Sequence, residues 1–147
     1  MLLERLRRLL PGLWAGMLLC IAAIAAPAAF ALLERPVAGQ VVGWLFQREA
    51  WTSVVLAVLL LAIERSRARA AAATGQGSVL STEILLLLGT VFCTVAGYFA
   101  LQPLMAAARA GQGALSFGQL HFISVGFFVA KLLCILALAW RAAGARR

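Results

Sequence analysis

Long apolar runs alternate with short charged segments along this chain. Residues 13–33 and 84–108 contain no charge, and residues 117–140 form an equally apolar run that holds one histidine and one lysine. A helix crosses the roughly 30 Å core of a bilayer with about 20 apolar residues. The pattern therefore predicts three membrane-spanning helices at these positions.

A fourth span is less obvious from the pattern. The uncharged stretch 50–63 rises only about 21 Å as a helix, so the span must begin earlier, and we place it at about 41–64. Pro36 suits the first turn of a helix. Two arrangements stay open: one long helix from about Pro36 to Arg65, or a short interfacial helix joined to a span. Either way the chain is predicted to be all-α, an integral-membrane four-helix bundle forming a single domain over residues 1–147.

Two charged segments flank these spans. Residues 1–10 place leucines on one face and arginines on the other, which predicts a basic amphipathic helix lying at the membrane surface. We expect Pro11 and Gly12 to end that helix before the first span. Residues 65–82 are rich in arginine and alanine and then in glycine, glutamine and serine, which predicts a flexible cytoplasmic loop.

Charge predicts the orientation. The chain has 147 residues, of which 64% are hydrophobic and 12% charged, and its formal net charge is +8. Because cytoplasmic loops of membrane proteins carry an excess of Lys and Arg, both termini are predicted to lie in the cytoplasm. The arginines are scattered at the ends of apolar runs, which argues against a nucleic-acid partner. Nine arginines lie on the predicted cytoplasmic side (Arg5, Arg7, Arg8, Arg65, Arg67, Arg69, Arg141, Arg146 and Arg147) and three on the other (Arg35, Arg48 and Arg109).

The last span carries a polar stripe. His121, Ser124, Phe128 and Lys131 are spaced by three, four and three residues, so they fall within about 80° of one another around a helix. Ionisable residues inside a membrane are costly and usually face the bundle interior. One interpretation is a pathway for a ligand, a proton or a cation. The other is structural: His121 bonds a backbone carbonyl, and Lys131 is a tolerated interior charge.

Further polar residues fall near the predicted periplasmic ends of the spans. They can form a polar vestibule around His121, although span ends are polar in most membrane proteins. The candidates besides the stripe are Gln102, Gln40, Arg48 and Glu34.

Small residues and cysteines complete the candidates. Small residues spaced by about one helical turn favour close helix packing, within one chain or between copies. The packing candidates are Gly16, Pro27, Gly39, Gly43, Gly89 and Gly97. Cys20, Cys93 and Cys134 fall at similar predicted depths and are weak candidates for a soft metal ion, but a buried cysteine usually acts as a small apolar residue. No metal site is predicted.

Several short segments resemble a known family. They are residues 26–30 (APAAF), residues 38–46 (AGQVVGWLF), and the Leu120-His121 pair with Ser124 at the start of the last span. In these motifs, and in length and span number from Trp14 to Trp140, the chain is similar to the bacterial transmembrane-protein-205-like family, domain of unknown function 4149. The resemblance implies a four-helix protein of the bacterial inner membrane without an assigned activity.

The side-chain inventory favours a non-enzymatic function. The chain has no Asp, a single His and a single Tyr. We therefore expect a membrane module for passage of a small molecule or ion, or a subunit that partners a second copy or another membrane protein, with the lipid bilayer around it and no cofactor. The alternative is a redox protein that binds haem or quinone near the periplasmic side, with His121 and either Met17 or Met105 as conceivable haem ligands.

Overall fold

Four long helices make up the chain. A computed structural model describes residues 2–75 and 78–144. The helices are α1 (Leu2–Leu32), α2 (Arg35–Ala73), α3 (Thr82–Arg109) and α4 (Phe117–Gly144), and each is long and apolar enough to cross a membrane. The predicted all-α four-helix fold is confirmed, and the chain is a multi-pass membrane protein. Arg146 and Arg147 lie outside the described residues.

Helix α1 does not end at Pro11. Its first α-helical segment runs from Leu2 to Cys20, through the proline. Pro11 and Trp14 are buried, and Arg7 forms an ion pair with Glu64 of α2. These contacts on both sides of the proline offset the roughly 3 kcal/mol that a proline costs inside a helix. The first ten residues are therefore the start of the first span helix rather than a separate surface helix.

Helix α2 is one continuous helix of 39 residues. This decides between the two predicted arrangements in favour of the single helix, which begins at Arg35. It also continues to Ala73, nine residues into the segment expected to be a loop. Arginine and alanine are strong helix formers, and Ala68 is buried against the bundle. The connector to α3 is accordingly short, and two of its residues, 76 and 77, lie outside the described residues.

Short connectors make neighbouring helices antiparallel. Leu33 and Glu34 join α1 to α2, and residues 110–116 join α3 to α4. Gly111 and Gly113 have positive φ angles of 73° and 103°, which side-chain-bearing residues rarely adopt. We call the end of the bundle that carries these two connectors the distal end. The proximal end carries the first residues of α1, the α2–α3 connector and the end of α4.

Packing differs between the two ends. The main buried cluster draws on all four helices in the proximal half, with Trp14, Leu18, Leu60, Leu87 and Ile135 among its members. The distal cluster contains only residues of α3 and α4 (Leu101, Met105 and Leu120). The distal half therefore leaves space between the α1–α2 pair and the α3–α4 pair.

Ion pairs join the helices at the proximal end. Arg7 of α1 lies 3.3 Å from Glu64 of α2, and Glu4 of α1 lies 3.8 Å from Arg67 of α2. On the other side of the bundle, Arg141 of α4 lies 2.9 Å from Glu83 of α3. Arginines predicted to set the orientation thus also hold neighbouring helices together.

Two helices contain π-helical turns, Ile21–Ala25 in α1 and Val95–Ala100 in α3. Each turn lies shortly before a proline, Pro27 in α1 and Pro103 in α3. A proline lacks an N–H group and displaces the carbonyl four residues before it, which favours such a local widening of the helix. Single π-helical turns occur frequently at functional sites.

Candidate functional site

A cavity of about 580 Å³ occupies the distal half of the bundle. All four helices contribute to its walls, and most of the lining is apolar. The π-helical turns contribute Ala22 from α1 and Gly97 and Tyr98 from α3. The polar lining includes Glu49, Gln102, Arg109, His121, Ser124 and Lys131.

A buried ion pair stands at the inner end of this cavity. Lys131 Nζ of α4 donates to both carboxylate oxygens of Glu49 of α2, at 2.7 and 2.8 Å. The residues are only 3% and 2% exposed. The Coulomb attraction compensates part of the cost of removing both charges from water, and the pair as a whole is neutral. Lys131 is therefore an interior charge with a specific partner on another helix.

Hydrogen bonds extend this pair to a third helix. Ser53, one turn after Glu49 on α2, donates its hydroxyl to Glu49 Oε1. Trp14 of α1 donates its indole N–H to Ser53 Oγ at 2.9 Å. The network therefore connects α1, α2 and α4, and Trp14 and Ser53 are both fully buried.

Aromatic rings lie beside the ion pair in the cavity wall. Phe46 of α2 and Phe128 of α4 meet edge to face, with ring centroids 5.5 Å apart. Lys131 Nζ lies 5.0 Å from the centroid of the Phe128 ring. The predicted stripe on α4 therefore includes Phe128 as a partner of the lysine, through a cation–π contact.

The remaining stripe residues line the same cavity. His121 stacks on Phe117, with ring centroids 5.9 Å apart and an angle of 14° between the rings. Ser124 donates to the carbonyl of Gly97 at 2.7 Å, inside the π-helical turn of α3. Within residues 2–75 and 78–144, the bond to a backbone carbonyl is thus made by Ser124 and not by His121. His121 and Lys131 are about 15 Å apart along α4.

The other predicted polar residues divide into two groups. Gln102 is half-buried in the cavity wall, and Gln40 lines an adjoining recess of about 440 Å³. Arg48 is exposed on the outer face of α2, where its guanidinium lies 5.2 Å from the Trp44 ring. Glu34 is exposed in the α1–α2 connector and lines neither space. The structure therefore brings only part of the expected vestibule together.

Sequence reasoning did not select Glu49 or Arg109 as site residues. Glu49 lies level with Lys131 in the bundle, and Arg109 lies at the distal end of the cavity. One signal was available: Glu49, Ser53 and Ala57 are spaced by four residues and share the buried face of α2. An intramembrane lysine usually pairs with a carboxylate, and Glu49 is the acidic residue within the apolar part of α2.

The predicted packing residues have different surroundings. At Gly97 a Cβ atom would overlap the Cβ of Phe127, so this glycine allows α3 and α4 to approach closely. At Gly89 a Cβ would lie 3.5 Å from Cys134 Sγ, an ordinary contact. Gly16, Gly39 and Gly43 have no atom within 4 Å of such a Cβ, and Pro27 is exposed. Gly39 and Gly43 instead enlarge the cavity that they line.

Two of the cysteines, Cys93 on α3 and Cys134 on α4, lie near each other, and the third is exposed. Cys93 is buried and lines the cavity, Cys134 is half-buried against Gly89, and Cys20 is exposed. Across residues 2–75 and 78–144, no three His, Cys, Asp or Glu side chains come together as a metal site requires.

Comparison with known proteins gives one match. The sequence model described as domain of unknown function (DUF4149) matches residues 9–114. The chain belongs to the DUF4149 family. The DUF4149 match covers most of α1 and all of α2 and α3, including Glu49, whereas α4 with His121 and Lys131 follows the matched region. No curated protein and no solved structure matches the chain.

Proposed function

We propose that this DUF4149 protein is a non-enzymatic membrane module that binds a small molecule in the distal cavity, for passage across or within the membrane. The main support is the size of the cavity. Its volume of about 580 Å³ falls in the range of ligand pockets, roughly 300–1,000 Å³. Apolar walls with a few polar groups are also typical of such pockets.

The arrangement of polar groups supports a ligand with defined polar positions. His121 and Gln102 lie toward the distal end of the cavity, and Lys131 lies at the inner end. Lys131 uses two of its three N–H donors on Glu49. Lys131 Nζ also lies 5.0 Å from the centroid of the Phe128 ring, so the polar positions open to a ligand are those of the distal end.

The orientation of the cavity follows from the arginines. We infer that both termini face the cytoplasm of a bacterial cell and that the distal end faces the periplasm. Seven of the nine arginines assigned to the cytoplasm lie at the proximal end within the described residues. The resemblance to the transmembrane-protein-205-like family supports the inner membrane as the location. The cavity then opens toward the periplasmic half of the bilayer.

Reactivity of the native Cys93 tests whether the cavity is accessible. In a C20S/C134S protein reconstituted in phospholipid vesicles, a water-soluble methanethiosulfonate reagent is expected to modify Cys93, because Cys93 lines the cavity. Gly43→Leu should slow this reaction strongly, since its side chain enters the cavity without a clash.

Gly16→Leu is the matched control for this experiment. Gly16 also has no atom within 4 Å of an added Cβ, but it does not line the cavity. The reaction should therefore proceed at the unmodified rate in Gly16→Leu. Equal rates in both leucine variants, or no modification of Cys93 in any of them, would contradict the proposal.

A redox protein is the second candidate. Met105 and His121 line the same cavity, from α3 and α4, and a methionine and a histidine together can hold a haem iron. The purified protein, expressed in cells that make haem, decides this by its absorbance spectrum. A stoichiometric Soret band that disappears in His121→Ala supports the redox alternative, whereas a folded protein without the band rejects its haem form.

A further inference from the structure

Two arginines stand at the mouth of the cavity. Arg109 lines both the cavity and the adjoining recess, and Arg35 lines the recess. The two spaces share Phe30, Gly39, Arg109 and Phe117, so they adjoin at the distal end. The guanidinium of Arg109 lies 4.4 Å from the centroid of the Phe117 ring.

The charge of these arginines is not balanced at the mouth. Among the described residues, neither Arg35 nor Arg109 lies within 4.0 Å of a carboxylate oxygen. Glu49 is the acidic residue in the cavity wall, and it is neutralised by Lys131 at the other end. Glu34 lies beside Arg35 in the α1–α2 connector at the same end, so two arginines face one glutamate there, and the mouth keeps a net positive charge that favours an anionic group.

Behind the mouth the cavity is long, partly open and mostly apolar. Its lining runs about 15 Å along α2, from Gly39 to Glu49, and about 24 Å along α3, from Cys93 to Arg109. Val42, Phe46, Val125 and Val129 belong to its walls. This shape suits a hydrocarbon chain.

We propose that the cavity binds an anionic amphiphile, with its carboxylate or phosphate head at Arg35 and Arg109 and its hydrocarbon chain along the cavity. This inference rests on the proposed function and names the chemical class of its ligand. Arginine forms charge-assisted, often bidentate hydrogen bonds to carboxylate and phosphate groups. The chain ends against Phe46 and Phe128, beside the neutral Glu49–Lys131 pair.

Protection of Cys93 measures binding of such a molecule. The C20S/C134S protein is placed in vesicles of a zwitterionic phosphatidylcholine, so that no other anionic lipid competes, and the rate of Cys93 modification is followed against added oleate. Oleate should slow the reaction with saturation. Oleyl alcohol supplies the chain without the charge, and inorganic phosphate supplies an anion without the chain, so both should protect much more weakly.

Arginine variants locate the head group. Arg35→Gln and Arg109→Gln should each raise the oleate concentration for half-protection by about tenfold, the effect of losing one charge-assisted hydrogen bond, and Arg109→Lys should lose less. Arg48→Gln is the matched control, because Arg48 is also exposed and also lies over an aromatic ring but is outside the cavity. It should leave oleate protection unchanged.

The outcomes separate this inference from the proposed function. Two results would exclude an anionic ligand while leaving a cavity for a small molecule. In the first, Cys93 reacts but oleate protects it no better than oleyl alcohol. In the second, Arg48→Gln weakens protection as much as Arg109→Gln. Protection by phosphate alone would indicate a free anion rather than an amphiphile and would also overturn the inference. If Cys93 does not react in any variant, the proposed function itself fails.

Discussion

Removal of Lys131 tests the ion pair that joins α2 to α4. Lys131→Met leaves the carboxylate of Glu49, which is 2% exposed in the unsubstituted chain, with one hydrogen bond, from Ser53. Breaking a buried pair by removing one partner costs about 3–5 kcal/mol, because a charge is left buried without compensation. We expect the free energy of unfolding to fall by that amount. Methionine keeps most of the side-chain volume, so a packing defect contributes little.

The double variant Glu49→Gln/Lys131→Met isolates the electrostatic part. Glutamine still accepts the hydrogen bond from Ser53, and no charge remains buried, so the double variant should recover most of the lost stability. Unfolding in mixed micelles by increasing amounts of a denaturing detergent, followed by circular dichroism, gives the three free energies. Arg141→Met, which breaks the exposed pair with Glu83, is the control and should cost about 1 kcal/mol or less.

Either of two results would contradict a stabilising interaction between Glu49 and Lys131. One is a loss of stability in Lys131→Met no greater than in Arg141→Met, which would mean that the Glu49 carboxylate is stable without its partner. The other is additivity of the Glu49→Gln and Lys131→Met effects, which would mean that the two side chains do not interact.

Three further predictions concern stability and use the same unfolding assay. Gly97→Ala should lower the free energy of unfolding by about 1–3 kcal/mol through overpacking, since the added Cβ would overlap Phe127. Gly43→Leu should be nearly neutral because its site is open. Equal effects of the two substitutions would contradict the close contact between α3 and α4 at Gly97. Trp14→Phe should cost about 1 kcal/mol by leaving Ser53 without its indole donor, and no change would mean that this bond does not stabilise the network. Arg7→Met should cost about 1–2 kcal/mol, less than Lys131→Met, because Arg67 still faces Glu64 at 3.6 Å; a larger loss than in Lys131→Met would reverse the order of the two pairs.

The apolar runs were sufficient to predict the helices. Span-length apolar segments have few alternatives to a helix in a bilayer, because every backbone polar group must be satisfied internally. Helix ends depended on more than apolarity. Pro11 lies inside α1 because tertiary contacts on both sides hold it there, and α2 continues past Arg65 because arginine and alanine favour helix even outside the apolar segment.

The candidate site was predictable on one helix but not between helices. The spacing of His121, Ser124 and Lys131 along α4 placed them on one face, and all three line the cavity. Lys131 and Glu49 are 82 residues apart in the sequence. Their pairing depends on the relative height and rotation of α2 and α4. Hydrophobic periodicity along a single helix does not determine that register.

The reactivity of Cys93 relative to Cys134 shows whether the distal cavity is accessible from water. Single-cysteine proteins carrying one or the other are compared in sealed vesicles, with a membrane-impermeant thiol reagent on the side that the distal end faces. Because Cys93 lines the cavity and Cys134 packs against Gly89 outside it, Cys93 should react at least about tenfold faster. Equal rates, or faster reaction of Cys134, would contradict an accessible cavity in the distal half of the bundle.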